Sequence, residues 1–359
     1  MRFLLFVGGW GFGGLETAYL SLMKGLRARG HQPVAIVCGW TDGVVPEQLE
    51  QAGLPYHQVR LGRIYLTNPY FTWHTLWRLP MARRQLRRLF AELRPDWVIY
   101  SEPQMVLLTA SLLPTRRAMY LQAEPGRLMR HGWSRRALDR QVDRFVCVSD
   151  FIARGLPVDP RKRAVAHNGV ELREPVAPAP GPVRIGIVGR LDERKQHLML
   201  LEACVVLKQR LPPGAFMLDI VGEKAGAYAR EVEARIVRRG LGDIVRWAGF
   251  VADRDALYGA LDIVAAPAVD EPFGLTVPEA GAYGLPVVAA RSGAFPEIVQ
   301  DEITGLMFEA GDVGGLARAL ERLVLDAELR RRLGTAGRAR VAAEFTIDRM
   351  AEGFLSALA

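Results

Sequence analysis

The sequence predicts an α/β protein of two domains, each built on a parallel sheet with crossover helices. Three observations support this. Strand-like and helix-like runs alternate along the chain, a proline-rich segment interrupts them near the middle, and the alternation then starts again. With 359 residues, of which 50% are hydrophobic and 24% charged, the chain has a globular composition, and its length suits two domains better than one.

The first half contains short apolar runs that are followed by helix-like runs, the rhythm of a parallel sheet with crossover helices. Residues 1–170 are therefore predicted to form the first domain. The strand-like runs are 2–7, 32–38, 97–100 and 144–148, and the helix-like runs are 16–29, 106–113 and 151–154.

The segment 171–182 is rich in proline, which lacks an N–H group and fixes φ, so the segment is predicted to be a linker. A second domain is predicted over 183–340, and a C-terminal helical segment over 341–359. The later strand-like runs are 183–188, 216–221, 245–249, 263–266 and 287–290; the helix-like runs are 198–210, 227–239, 313–325, 328–344 and 347–358.

Two bulk features bear on where the protein works. No apolar run approaches the roughly 20 residues that a membrane span needs, so neither a signal peptide nor a transmembrane helix is expected. Cys38, Cys147 and Cys204 are far apart and lack ligand spacing, which argues against a disulfide framework or a zinc site. We therefore expect a cytoplasmic protein.

Charge is distributed unevenly. Residues 1–170 hold 24 Lys and Arg against 12 Asp and Glu, a net charge of +12, whereas residues 171–359 hold 23 against 27, a net charge of −4. Such asymmetry indicates an anionic partner or simple solubility. The basic residues are spread over many elements without a nucleic-acid motif, so nucleic acid is not the expected partner.

The segment between Trp73 and Leu93 interleaves large apolar residues with arginines, partly at helical spacing. A basic amphipathic helix of this kind can lie in a membrane interface, so peripheral contact with the inner membrane face is one interpretation. The other is a crossover helix whose apolar face packs on the sheet and whose arginines are solvated.

The first strand leads into a glycine-rich loop, in which Gly9, Gly11 and Gly14 satisfy the pattern Gly-x-Gly-x-x-Gly. A dinucleotide site also needs an acidic residue at the end of the second strand. That strand ends at Cys38, and no carboxylate follows before Asp42. A nicotinamide-dependent oxidoreductase is therefore disfavoured. A loop that faces a phosphate or an acceptor, and a tight turn without a ligand, both stay open.

The strand at 183–188 ends in a loop that carries Arg190 and Lys195. Open α/β sheets bind ligands at the carboxyl ends of their strands. Arginine can hold phosphate oxygens in a bidentate manner, and lysine supplies a compact charge, so the pair suits a diphosphate leaving group. Exposed loop charges without a ligand are the alternative.

Two glutamates, Glu271 and Glu279, flank a Pro-Phe-Gly turn and the predicted start of a helix. If Glu279 lies one turn into that helix, both carboxylates can face one ligand. The first amides of the helix, those of Gly274, Leu275 and Thr276, would point at the same space and receive an anion or sugar hydroxyls. A turn with two solvated glutamates is the alternative.

Taken together, these motifs resemble glycosyltransferase family 4, the retaining enzymes of the GT-B fold. The resemblance covers nearly all of the second domain and less of the first, where Gly13-Gly14-x-Glu16 is the main match. It implies two Rossmann-like parallel-sheet domains facing across a cleft, with the last helix crossing back onto the first. The matching segments are Glu271 with Glu279, Gly189-Arg190-Leu191 with Lys195, Asn168-Gly169-Val170, Gly284 to Ala289, Pro296 to Val299, and Thr304-Gly305-Leu306.

The resemblance implies roles for single residues. Glu279 would bind the donor's ribose hydroxyls, and Arg190 and Lys195 its diphosphate. Gly14 would approach the phosphates from the first domain. The transferred sugar would be held by Glu271 with the amides of Phe273, Gly274, Leu275 and Thr276. The donor, most simply UDP- or GDP-linked, is a substrate, so no cofactor is implied. No divalent metal is implied either, and the six histidines are scattered along the sequence.

The implied activity is transfer of a sugar to a sugar, a lipid-linked molecule or another small molecule, which can be anionic. An epimerase or a phosphorylase of the same fold stays open. The chain also departs from the family at two places. Gln122 or Glu124 stands in the stretch where the family often carries a first-domain histidine, and Gln196 replaces the glycine that usually follows the lysine.

Overall fold

The structure is a computed structural model that describes residues 1–7, 13–39, 42–61, 69–124, 126–130, 132–175, 177 and 180–359. The chain folds into two compact units. The first combines Met1–Gly169 with Ile347–Ala359, and the second is Val170–Thr346. The chain therefore passes from one unit to the other twice. The proline-rich segment 171–182 stands at the start of the second unit.

The first unit is organised around a parallel sheet. Its described strands are β1 (Arg2–Val7), β2 (Gln32–Cys38), β3 (Tyr56–Val59), β4 (Trp97–Tyr100), β5 (Arg116–Leu121), β6 (Arg144–Cys147) and β7 (Arg163–Val165). They pair in parallel in the order β3-β2-β1-β4-β5-β6-β7. Consecutive residues of β1 and β4 are buried, because the sheet is covered on both faces.

Helices connect these strands. α1 begins at Gly14, directly after Gly13. Its side chains Tyr19 and Leu22 are buried in the core of the first unit. The predicted helix at 106–113 is shorter, because α4 ends at Thr109 and a 3₁₀ turn follows. The described helices are α1 (Gly14–Ala28), α2 (Val44–Gln51), α3 (Pro69–Leu93), α4 (Pro103–Thr109), α5 (Arg127–Arg130), α6 (Gly132–Gln141) and α7 (Asp150–Arg154).

The second unit repeats this plan. Its strands are β8 (Val183–Val188), β9 (Phe216–Val221), β10 (Val245–Gly249), β11 (Ile263–Ala266), β12 (Val287–Ala290) and β13 (Leu306–Phe308). They form a parallel sheet in the order β10-β9-β8-β11-β12-β13. The chain runs outward from β8 to β10 and then returns to β11 on the other side of β8. The strand order thus reverses between β8 and β11.

The helices of the second unit pack around a core of aliphatic side chains from these strands. The predicted helices at 198–210, 227–239, 313–325 and 328–344 are confirmed to within one residue at each end. The helices are α8 (His197–Arg210), α9 (Gly226–Arg238), α10 (Arg254–Gly259), α11 (Thr276–Ala282), α12 (Phe295–Ile298), α13 (Val313–Leu325) and α14 (Ala327–Glu344).

The last helix, α15 (Ile347–Leu358), belongs to the first unit. It packs against α1 at Gly25, where a Cβ atom would lie 2.8 Å from the Cβ of Ala351. Arg29 of α1 donates two hydrogen bonds to the Asp348 carboxylate, at 2.8 and 2.9 Å. Phe354 meets the buried Tyr120 ring edge-on. The helix is thus fixed to the first unit by close packing and by an ion pair.

Candidate functional site

The candidate site lies at the carboxyl edge of the second sheet, where β8 and β11 are neighbours. In open α/β sheets the crevice for ligands forms where the strand order reverses, because the loops that follow the two central strands leave in opposite directions. The loop after β8 carries Arg190 and Lys195, and the loop after β11 carries Glu271. The backbone N–H of Val269 donates to the carbonyl of Arg194 over 2.9 Å and joins the two loops.

The loop after β8 turns sharply to place Lys195. Asp192 accepts a hydrogen bond from the Lys195 backbone N–H through its side chain and so caps a single 3₁₀ turn. Gln196 follows in the left-handed region with a φ of 57°, and α8 starts at the next residue. Gly189 has no side chain, which leaves the stem of Lys195 room to pass: a Cβ there would lie 3.4 Å from the lysine Cε.

Lys195 and Glu271 form an ion pair, with the lysine Nζ 2.9 Å from the glutamate Oε2. Both side chains are mostly buried, at 18% and 13% exposed. An ammonium group has three N–H donors. After bonding to Glu271, it can still donate to an oxygen of a bound anion. The pair therefore holds a cation in a defined place at the edge of the sheet.

The backbone around Glu271 is fixed by the segment after β12. The N–H of Ala294 donates to the Glu271 carbonyl over 2.9 Å, and the N–H of Asp270 donates to Ser292 Oγ over 3.0 Å. Gly293 has a φ of 58° and packs against the Glu271 backbone, where a Cβ would collide with its N and O atoms. This contact explains why glycine occupies position 293, where the loops after β11 and β12 meet.

The Pro-Phe-Gly turn ends in the first residues of α11. Phe273 is buried and meets Phe345 edge-on, so the aromatic side chain anchors the turn in the core. The backbone N–H groups of Gly274, Leu275 and Thr276 make no hydrogen bond with any described residue. Three amide donors therefore lie three to five residues after Glu271, where they can donate to the oxygens of an anion or a hydroxyl.

Glu279 lies one turn into α11, as the sequence predicted, and its carboxylate already has partners within the second unit. The Tyr258 hydroxyl donates to Glu279 Oε2 over 2.6 Å, and Arg254 approaches Oε1 at 3.8 Å. Burial raises the pKa of the Glu279 carboxyl, while Arg254 and the Tyr258 hydrogen bond act to lower it. The Tyr258 ring stacks on Tyr283 at a centroid distance of 5.0 Å. Glu279 therefore presents an oriented carboxylate.

Sequence reasoning missed Tyr258 and Arg254. Both lie on α10, a helix of six residues that contains no recognisable motif. Their contact with Glu279 depends on the packing of α10 against α11, which no local spacing shows. A tyrosine shortly before a buried strand was the only signal in the sequence.

The other predicted residues have different surroundings. Arg190 is exposed, and its guanidinium has no partner among the described residues. Gly14 is the first residue of α1 and belongs to the first unit. Gly9 and Gly11, the first two glycines of the predicted Gly-x-Gly-x-x-Gly pattern, lie outside the described residues.

The two candidates for the family histidine differ in their surroundings. The Gln122 and Asn168 side-chain amides exchange hydrogen bonds of 3.1 and 2.8 Å, and the buried Tyr120 hydroxyl donates to the Asn168 oxygen over 2.7 Å. The tyrosine donor fixes which way the Asn168 amide faces, and Asn168 in turn orients Gln122. Glu124 is exposed.

Comparison with solved structures identifies the fold. Anabaena Alr3699/HepE in complex with UDP and glucose superposes with a TM-score of 0.81 at 20% identity, covering 100% of this chain and 99% of that one. Sucrose-phosphate synthase (tll1590) from Thermosynechococcus elongatus gives 0.76 at 21% identity, covering 99% and 97%. At these identities the structural similarity supports conclusions about the fold alone. It confirms the predicted GT-B fold with two Rossmann-like domains.

Curated relatives align over different lengths. Lipopolysaccharide core biosynthesis glycosyltransferase LpsE of Rhizobium meliloti (strain 1021) is 27% identical over 361 residues, which is 97% of this chain and 96% of the relative. D-inositol 3-phosphate glycosyltransferase of Corynebacterium jeikeium (strain K411) is 38% identical over 199 residues, 54% of this chain. The chain matches only 43% of the length of that second relative.

Two family models match adjoining parts of the chain. The model described as Glycosyltransferase Family 4 matches residues 12–174, and the model described as Glycosyl transferases group 1 matches residues 171–340. The second match contains Lys195, Glu271 and Glu279, the residues whose surroundings define the candidate site. With both halves matched and the fold in agreement, this chain belongs to glycosyltransferase family 4.

Proposed function

We propose that this protein is a retaining glycosyltransferase that moves a sugar from a UDP- or GDP-linked donor to an acceptor. The observation that carries the proposal is the ion pair of Lys195 and Glu271, which lies where the strand order of the second sheet reverses. The loop that carries Glu271 leads to three backbone amides that have no partner among the described residues. Such a site offers a fixed cation and neutral donors to one anionic ligand. Family membership and the UDP-bound relative of the same fold support this assignment.

The donor would be held in the second unit. In this proposal Lys195 and Arg190 bind the diphosphate, because one is fixed by Glu271 and the other is exposed and unpaired among the described residues. Glu279 accepts the ribose hydroxyls, since Tyr258 and Arg254 hold its carboxylate in one orientation. Glu271 and the amides from Phe273 to Thr276 take the transferred sugar. Gly14, in the first unit, is the proposed phosphate contact there.

The chemical role of the cations follows from the reaction. When the bond between the anomeric carbon and the diphosphate oxygen breaks, negative charge develops on the departing nucleotide diphosphate. Fixed cations and backbone donors stabilise that charge without having to reorganise during the step, which is a large contribution to catalysis. Lys195 and Arg190 supply this stabilisation in the proposal, so the reaction needs no divalent metal.

Retention of the anomeric configuration is proposed from family membership. In the proposed route, the acceptor oxygen attacks from the face that the diphosphate leaves, and its proton passes to a leaving phosphate oxygen. The new bond joins the acceptor oxygen to the anomeric carbon, and the nucleoside diphosphate is released. The product linkage then keeps the configuration of the donor.

The acceptor belongs to the first unit in this proposal. The relative that aligns along almost the full chain is named for lipopolysaccharide core biosynthesis, which favours a sugar acceptor carried on a lipid. An anionic acceptor also fits the positive charge of residues 1–170, which hold 24 basic residues against 12 acidic ones. We accordingly propose a peripheral enzyme that works at the inner membrane face. No helix in the described part of the chain has the length and apolarity needed to cross a bilayer.

A thermal-shift screen with UDP, GDP, ADP, TDP and CDP, and with their common sugar conjugates, tests the donor site. A ligand that binds the native state raises the unfolding midpoint by mass action. A raised midpoint with the nucleotides of one base supports the proposal and identifies the base of the donor. An unchanged midpoint with every nucleotide and sugar conjugate contradicts it. The anomeric proton coupling of the product then distinguishes retention from inversion. Turnover of the donor to an epimer without acceptor would indicate an epimerase instead.

A further inference from the structure

Helix α3 of the first unit has two different faces. Its inner face consists of Thr75, Ala82, Leu86 and Leu89, which are all buried. These positions follow one another at three, four or seven residues, so they share one side of the helix. The sequence predicted this amphipathic pattern, and the structure shows that the inner side accounts for only part of the large apolar residues.

The opposite side of α3 exposes large apolar side chains in its first turns. Trp73 is 68% exposed, Trp77 is 70% exposed and Met81 is 68% exposed. They are spaced four residues apart and therefore form a continuous stripe, which Tyr70 and Leu76 widen. Elsewhere in the described chain, exposed large apolar residues occur singly on separate elements. A contiguous patch of this kind marks an interaction surface.

The same side of α3 becomes cationic in its later turns. Arg84, Arg87 and Arg88 are exposed and continue the line of Trp73, Trp77 and Met81. No carboxylate of the described residues forms an ion pair with any of the three. At a rise of about 1.5 Å per residue, the stripe from Trp73 to Arg88 is roughly 22 Å long. One exposed surface thus joins an aromatic end to an uncompensated cationic end.

We propose that this face of α3 docks on an anionic lipid bilayer. Tryptophan, tyrosine and methionine suit the boundary between headgroups and acyl chains, because they bury apolar area while tolerating nearby water. The three arginines then contact lipid phosphates, with which guanidinium groups form bidentate hydrogen bonds. The helix lies in the plane of the interface, and its buried inner face keeps it attached to the unit.

The charge pattern favours lipid over the other macromolecules. A protein partner or a second copy would cover the tryptophans but would leave the arginines without an anionic counterpart unless it supplied one. Nucleic acid would satisfy the arginines but not a stripe of Trp73, Trp77 and Met81. A bilayer with anionic headgroups satisfies both ends at once. The inference names the surface for the peripheral membrane contact of the proposed function and rests on that part of it, but it concerns the first unit alone and does not require the transferase chemistry.

The test is co-sedimentation of the full chain with vesicles of phosphatidylcholine alone or mixed with phosphatidylglycerol. We expect binding to the mixed vesicles at low salt and release at high salt. The double variant Trp73→Ser/Trp77→Ser should bind at least about ten-fold more weakly and should lose the blue shift of tryptophan emission. Arg84→Gln/Arg88→Gln should weaken binding about five-fold for each arginine removed.

Two sets of control variants are available outside α3. Trp133 of α6 is as exposed as the α3 tryptophans, so Trp133→Ser tests for a general effect of surface tryptophan. Arg230→Gln/Arg238→Gln removes two exposed arginines from α9 of the second unit. All variants should keep the unfolding midpoint and any nucleotide-induced shift, because the changed side chains are exposed. Retained nucleotide binding separates loss of docking from loss of the donor site.

Four results would overturn the inference. The first is no binding of the unaltered protein to phosphatidylglycerol vesicles at low salt. The second is an equal loss of binding in the control variants. The third is a lipid-free dimer in sedimentation velocity that Trp73→Ser/Trp77→Ser converts to monomer without any vesicle binding, which would assign the stripe to a second copy of the chain. Binding to duplex DNA more tightly than to vesicles would likewise contradict it.

Discussion

The ammonium of Lys195 lies 2.9 Å from the carboxylate of Glu271, although 76 residues separate them in the chain. The pair exists because β8 and β11 are neighbours, so the loops that follow them meet at one edge of the sheet. This contact connects the predicted phosphate-binding loop to the predicted sugar-binding loop. Changes to either partner should therefore alter both the local charge and the position of the other side chain.

Removal of the Lys195 charge should impair turnover more than donor binding. We expect Lys195→Met to lower kcat by about 100-fold or more, because a fixed cation near developing charge is worth about as much as an oxyanion-hole donor. Arg190→Ala should act in the same direction. Arg194→Gln is the matched control, since Arg194 is exposed on the same loop. Steady-state kinetics with nucleotide titration measures both quantities. Equal kcat in Lys195→Met and the unaltered protein would exclude the assignment.

The hydrogen bond from Tyr258 to Glu279 should contribute to donor affinity. Tyr258→Phe leaves a buried carboxylate with one partner fewer, and such hydrogen bonds to charged groups contribute about 1.5–3 kcal/mol. We expect nucleotide affinity to fall by about 10-fold or more in calorimetric titration, and Glu279→Ala to have at least as large an effect. Tyr283→Phe removes a hydroxyl that bonds Asp255 instead, so it should leave affinity nearly unchanged. A larger loss with Tyr283→Phe would contradict the proposed role.

Gln196 occupies a backbone conformation that suits glycine. Its φ is 57°, and a residue with a side chain in this region costs about 1–2 kcal/mol. Gln196→Gly should therefore raise the stability of the second unit by roughly 0.5–1 kcal/mol, the gain being reduced by the larger entropy of the unfolded chain. The urea midpoint measures this change. Gln196→Ala keeps the strain and should show no such gain, so equal midpoints for the two variants would refute the explanation.

Buried His197 should make stability depend on pH. Burial lowers its pKa to about 4, Asp192 acts to raise it and Lys195 to lower it. Neither ring nitrogen has a hydrogen-bond partner within the described part of the chain. The unfolded chain has the ordinary pKa near 6.5 and takes up the proton first, so stability from this group is full above about pH 6.5 and falls as pH drops toward 4. The slope is at most about 1.4 kcal/mol per pH unit.

The His197→Leu variant isolates this effect. Leucine fills a similar buried volume without binding a proton, so the decline of the unfolding midpoint below pH 6.5 should become shallower. His57→Gln, on β3 of the first unit, controls for the loss of a histidine elsewhere. Identical pH profiles for His197→Leu and the unaltered protein would show that His197 is not the group responsible.

Strands were predictable where the apolar run was long and contained few charged residues. The run at 183–188 was recognisable because it is apolar and bounded by Pro182 and Gly189, and β8 has those bounds. Strand β5 starts with two arginines and β13 has three residues, so neither carried a usable pattern. Both were missed. Parallel order could be inferred from the alternation, whereas the order of strands in the sheet could not.

The site was predictable in its residues but not in its contacts. Lys195 and Glu271 stand at strand ends, and chemistry alone made them candidates. That they meet follows from β8 lying beside β11, which is a property of the whole sheet. The Tyr258 bond to Glu279 depends on the packing of a short helix. Local spacing indicates which residues carry chemistry, and tertiary structure decides which of them act together.

The placement of α15 determines the order in which the units can be completed during synthesis. Residues 1–169 leave the ribosome first, yet the face of α1 around Gly25 and the ring of Tyr120 stay uncovered until Ala351 and Phe354 have been made. The second unit is contiguous in sequence, so it has all of its residues earlier. A fragment cut after Gly169 would uncover α1 around Gly25 and the Tyr120 ring and would be expected to aggregate, whereas a fragment of 170–346 would be expected to remain folded.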